Sequence, residues 1–90
     1  MVHHIKIREE FFIPITAGKK LFELRKNDRG YQCGDLIRFT VIRDQDKVVT
    51  EDRQLYEITY VISGWGLKNG YVAFGIRPLS MPPKKGEEDD

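Results

Sequence analysis

Apolar and polar positions alternate through several stretches of this 90-residue chain, and the period of the pattern changes once near its start. In residues 2–7, Ile5 and Ile7 fall on one face and His4 and Lys6 on the other, which predicts an opening strand with His3 on the isoleucine side. The spacing then lengthens: Phe11, Phe12 and Ile15 stand as a helical stripe within residues 8–17, and Glu9 and Glu10 suit the positive end of a helix dipole. Pro14 requires that helix to begin near residue 10. Residues 36–43 carry the clearest strand, with Ile37, Phe39 and Val41 against Arg38, Thr40 and Ile42. The charged residues 44–54, with Val48 and Val49 in their middle, predict an exposed hairpin excursion. Residues 55–63 are rich in β-branched and aromatic side chains and predict a long strand covered on both faces over part of its length. A glycine-rich loop over residues 64–70 ends in Asn69-Gly70, and residues 71–77 make a last strand.

Residues 18–29 hold the most unusual pattern, five cations and two carboxylates beside an apolar set. A strand over residues 20–25 puts Phe22 and Leu24 on one face, expected to be core, and Leu21, Glu23 and Arg25 on the other. Gly18 gives freedom where the helix ends, and Asn27-Asp28-Arg29-Gly30 has the composition of a turn. Five to six strands and one short helix after the first strand predict an α+β, mainly β domain, a curled sheet or small barrel with the helix plugging one end. The domain spans residues 1–80, and residues 81–90 read as a disordered tail.

The net charge of +1 hides an uneven distribution, because residues 1–81 hold 13 basic against ten acidic side chains. Five basic and two acidic residues fall within residues 16–31 alone, a local excess that attracts polyanions. Cys33 is the one cysteine, so an intramolecular disulfide is excluded, and no apolar run reaches the length of a membrane span. These features predict a soluble cytoplasmic monomer with no membrane partner. His3 and His4 point opposite ways on a strand, which argues against a metal, and no cofactor is expected. His3 is expected to be packed and hydrogen-bonded, and Cys33 a packed small residue rather than a nucleophile.

Lys20, Glu23 and Arg25 are the candidate site. Arginine forks onto phosphate or guanine, lysine gives a point charge, and a glutamate accepts from an exocyclic amino group. The competing reading is a structural Glu23–Arg25 pair with a solvated lysine. Lys26, Asp28 and Arg29 extend the rim or are merely solvated. Trp65, between two glycines, either folds back as a lid or stays out to stack on a base, while Tyr31 and Tyr71 either stack or pack.

Gly18-x-Lys20-x-x-Glu23-x-Arg25 resembles the G-x-K-x-x-E-x-R signature of ASCH domains, small β-barrels of the PUA-like superfamily. His3-x-Ile5-Lys6, Phe12, Ile15, Asn27-Asp28-Arg29, Gly34-Asp35, Ile58-Thr59-Tyr60 and Gly70-Tyr71-Val72 are similar to a bacterial and phage branch of small stand-alone ASCH-like proteins. The resemblance implies a barrel with a basic cleft beside the signature and a role in binding RNA or modified nucleosides. Some ASCH-like proteins are amidohydrolases that deacetylate N4-acetylcytidine with a lysine, a threonine nucleophile and a glutamate. That lysine maps onto Lys20, but the threonine falls on Glu23, which cannot supply a hydroxyl. The expected function is therefore RNA binding at Lys20, Glu23, Arg25, Lys26, Arg29 and Trp65. A small nucleoside amidohydrolase relying on Lys20 and Glu23, and a protein-binding module using the 44–54 hairpin, are the alternatives.

Overall fold

The computed structural model describes residues 1–79, so the tail expected over residues 81–90 lies outside the described residues. The chain runs β1 (Val2–Arg8), α1 (Glu9–Thr16), β2 (Phe22–Lys26), β3 (Leu36–Arg43), a 3₁₀ turn (Asp44–Asp46), β4 (Lys47–Ser63) and β5 (Tyr71–Pro78). All five strands join one sheet in the order β1-β3-β4-β5-β2, with β1 parallel to β3 and every other pair antiparallel. The sheet curls into a half-barrel. Its inner face buries Ile5 and Ile7 of β1, Ile37, Phe39 and Val41 of β3, and Val72, Phe74 and Ile76 of β5. Each such side chain contributes about 1.5–3 kcal/mol on leaving water, so this face holds most of the driving force.

The helix packs its one apolar side onto the inner face of β1 and β3. Its first turn carries Glu9, which Arg43 grips with two nitrogens at 2.9 and 3.1 Å, tying the start of α1 to the end of β3. Ile15 is buried and Phe12 meets the Phe39 ring edge-on at 6.1 Å, but Phe11 is 48% exposed and does not join the expected stripe. With only two turns, the helix turns one narrow face to the core, and Phe11 lies toward β2 instead.

Gly18 ends the helix at φ +75°, donating its amide to Ile15 O at 3.0 Å while Lys19 donates to Pro14 O at 2.9 Å. This paired capping needs a left-handed residue where the chain turns, and it aims the following segment back toward β2.

β4 is longer than expected. The 44–54 excursion is a tight turn followed by the first half of this 17-residue strand, which pairs with β3 before its second half pairs with β5. A bulge between Ile58 and Tyr60 shifts its parity, so Tyr56 and Ile58 face the core, Val61 takes the next inner position, and Tyr60 is 67% exposed. The strand is thus buried on its inner face only, which corrects the expectation of cover on both. Gly75 faces this bulge, where a Cβ would lie 2.6 Å from Thr59 Oγ1. Cys33 also departs from expectation, being exposed with its thiol donating to Thr59 O.

His3 is buried, as its place beside Ile5 implies, and its Nε2 donates to Asp35 Oδ2 at 2.8 Å. Asp35 also accepts the Gln32 amide at 3.1 Å. Tyr31 lies against both His3 and Phe74, with ring centroids 4.8 Å from each.

Two outcomes are expected. Gly18→Ala introduces no clash, since nothing lies within 4 Å of the added carbon, so chemical denaturation reads the backbone cost alone, about 1–2 kcal/mol. The hydrogen bond from His3, then that from Gln32, holds the Asp35 carboxyl below its ordinary value of 3.8. A lowered folded value means that the stabilisation is complete above the ordinary value and is lost as pH falls through the folded one. Acid titration of the unfolding free energy should therefore show a step below about pH 4 in the native chain that Asp35→Ala removes.

Candidate functional site

Among the described residues β2 runs along one edge of the sheet, paired only with β5, and its register decides the site. Glu23 stands opposite Phe74 and Arg25 opposite Val72, both core residues, so the charged positions face inward. Phe22 and Leu24 face outward at 52% and 55% exposure, which reverses the expected orientation of this strand. The reversal is tolerable because the buried carboxylate is not alone. Lys20 Nζ bonds Glu23 Oε2, and Arg25 Nε donates to Glu23 Oε1 at 3.1 Å. A carboxylate 5% exposed would otherwise face a desolvation cost of several kcal/mol.

Arg25 also crosses the mouth of the curl. β1 and β2 are the two ends of the sheet and share no backbone ladder, yet Arg25 Nη2 donates to Lys6 O on β1 at 2.6 Å. One guanidinium thus joins the interior ion cluster to the opposite edge strand. Lys20 is fixed from the other side by two rings, its ammonium lying 5.3 Å from the Phe22 centroid and 6.0 Å from that of Phe11.

Around this seam lies a groove of about 340 Å³ lined by Lys6, Ile7, Arg8, Phe11, Glu23, Leu24, Arg25, Lys26, Ile42 and Tyr71. Four of these are cations, and the one carboxylate is already neutralised from two sides. Lys6 and Arg8 have only exposed partners, Asp46 at 3.9 Å and Glu10 at 3.2 Å, which an incoming anion displaces at little cost.

Lys20, Glu23 and Arg25 therefore come together as the sequence suggests, with Lys26 on the rim. Arg29 sits apart in the exposed turn after β2, near enough to Tyr31 to oppose the upward push that burial gives its phenol. Trp65 lies in the β4–β5 loop at φ +51° and is 91% exposed, so it is no lid. It lines neither the seam groove nor the depression of about 520 Å³ formed by Asn27, Ser63, Gly64, Lys68 and Tyr71 with their neighbours. Lys6 and Arg8 escaped the sequence reading. Alternation places Lys6 on the polar side of β1, but nothing local says that β1 and β2 are the strands that face each other across an open seam.

Arg25→Leu strips Glu23 of one partner and the seam of its bridge, so urea unfolding should show a loss of about 3–5 kcal/mol. Lys26→Ala on the same strand, exposed and outside the cluster, should change stability by no more than about 0.5 kcal/mol.

The chain is similar in fold to a solved structure, the crystal structure of hypothetical protein PH0355, at a TM-score of 0.58 and 20% identity, over 88% of this chain and 100% of that one. No curated protein matches it. A family model described as a domain of unknown function (DUF3850) matches residues 2–76, a span that holds β1 to β4, the helix, the ion cluster around Glu23 and all of β5 but its last two residues. The chain belongs to this family.

Proposed function

We propose that this domain binds single-stranded RNA, with the phosphate backbone held along the seam between β1 and β2. The observation that carries the reading is the groove itself, where Lys6, Arg8, Arg25 and Lys26 line a concave surface whose single carboxylate is already satisfied. Such a surface attracts phosphate without repelling it. The resemblance of Gly18, Lys20, Glu23 and Arg25 to the ASCH signature points the same way, toward a PUA-like barrel with a basic cleft.

The roles within the signature change on this reading. Glu23 is too buried to accept from a base edge, and it acts instead as a positioning residue that holds Lys20 and Arg25. Arg25 keeps a second nitrogen on Lys6 O, so the mobile contacts to phosphate come from Lys26, Lys6 and Arg8. Hydrolysis of a modified nucleoside is less well supported, because the Lys20 ammonium is engaged by Glu23 where that chemistry needs it beside a nucleophile.

Amide NMR titration with a short mixed-sequence single-stranded RNA tests the proposal. Shifts are expected on Lys6, Arg8 and Lys26, weakening with salt, and Lys26→Ala should reduce the slope of log affinity against log salt by about 1. A spectrum unchanged by RNA at low salt would sink the reading.

A further inference from the structure

The inward turn of Glu23 and Arg25 leaves a second surface on the outside of the sheet, and we infer that this outer face of β2, β5 and β4 is a stacking platform for the bases of a single-stranded nucleic acid. The inference rests on the proposed RNA binding and assigns it a separate contact surface.

The registers place the outward residues in rows. Leu24 lies beside Ala73, and Ala73 beside Ile62; Phe22 lies beside Gly75, and Gly75 beside Tyr60. Large side chains from the two flanking strands thus stand on either side of a floor of small ones. Neighbouring strands are about 4.8 Å apart, so the backbones bearing Phe22 and Tyr60 are separated by about 10 Å across Gly75. A planar ring lying on this floor meets an aromatic face or edge from either side. The Thr59 hydroxyl, carried to the same face by the bulge, approaches Gly75 in that gap and offers a polar contact.

The surface is unusual for its charge as well as its apolarity. The next row pairs Lys26 with Tyr71, and the Lys68 ammonium lies 5.8 Å from the Tyr71 centroid. Lys20 flanks the Phe22 ring at the other end of β2. A carboxylate enters the outer face only one row beyond Tyr60, at Glu57, where Arg77 pairs with it. An apolar outer face bordered at its Tyr71 end by Lys26 and Lys68 complements a chain of aromatic bases joined by phosphates. A second copy of this protein is a poorer complement, because packing two such faces together would confront Lys26 and Lys68 with their own images.

Both faces of β2 border the seam groove, through inward Glu23 and Arg25 and outward Leu24 and Lys26, and Phe22 lies on the same outer row as Leu24. A nucleic acid whose phosphates follow the seam needs to cross only this edge strand for its bases to reach Phe22 and Tyr60.

The test is fluorescence anisotropy of a labelled mixed-sequence RNA octamer against the native chain, Phe22→Ala and Tyr60→Ala, over a salt series. Circular dichroism melts confirm folding, and both residues are more than half exposed. Each substitution should weaken binding about 5- to 150-fold, the effect of losing one stacked base, with the salt slope unchanged because no phosphate contact is lost. Native affinity retained in both variants would overturn the platform while leaving RNA binding at the seam intact. No binding by the native chain would defeat both readings. A native dimer in sedimentation that Tyr60→Ala dissociates would assign the face to self-association and overturn the platform.

Discussion

A carboxylate inside a small apolar core constrains everything built around it. Glu23 can be 5% exposed only while Lys20 and Arg25 both reach it, so the helix end, the start of β2 and the β1 edge must hold fixed positions relative to one another. Gly18 turns the chain out of α1, and Lys20 then falls beside both the carboxylate and the Phe11 ring of the helix it has just left. Arg25, two residues beyond Glu23, lies on the same inner face and is long enough to span the seam to Lys6 O. The spacing of the signature is therefore a geometric requirement: the glycine sets the turn, the lysine and arginine bracket the glutamate, and the arginine joins the sheet's two ends.

That arrangement weighs on the choice between a structural and a functional reading of the same residues. Ion clusters of this kind are poor sources of net stability, since desolvation offsets much of the attraction, and an apolar trio would hold the strand as well. What the cluster supplies that an apolar trio would not is a guanidinium at the seam that reaches both Glu23 and the Lys6 carbonyl on the opposite edge strand. On the proposed reading, the structural pair and the phosphate-binding groove are one construction, with Glu23 holding Lys20 and Arg25 in place.

Much of the fold was legible from alternation. β1, with His3 on its buried side, β3 over residues 36–43, the loop over residues 64–70 and the last strand all follow from period-two patterns with turn residues between them. The helix is legible because the period changes, but a two-turn helix does not bring every apolar residue to the core, and Phe11 stays outside it. For β2, alternation gives the place of the strand but the wrong inward face. The rule that apolar residues go inside fails there because a neutralised ion cluster competes for the interior, and sequence spacing shows the charges without showing which β5 residues lie opposite. The exposure of Trp65 and of Cys33 depended on loop geometry that has no periodic signal.

The inversion was open to β2 more readily than to a central strand. Strands β3 and β4 have neighbours on both sides, so charges turned inward from them would meet apolar side chains in every direction. An edge strand has one neighbour, and its inner face borders the open seam, where a guanidinium can reach both the core carboxylate and a free backbone carbonyl. Once Glu23 and Arg25 point inward, period-two geometry leaves Phe22 and Leu24 facing out whatever their hydrophobicity. Exposed aromatic and aliphatic residues on the edge of a sheet are a standing hazard for aggregation, and the lysines beside them blunt that hazard. The seam groove and the apolar outer face are thus two consequences of one choice of register.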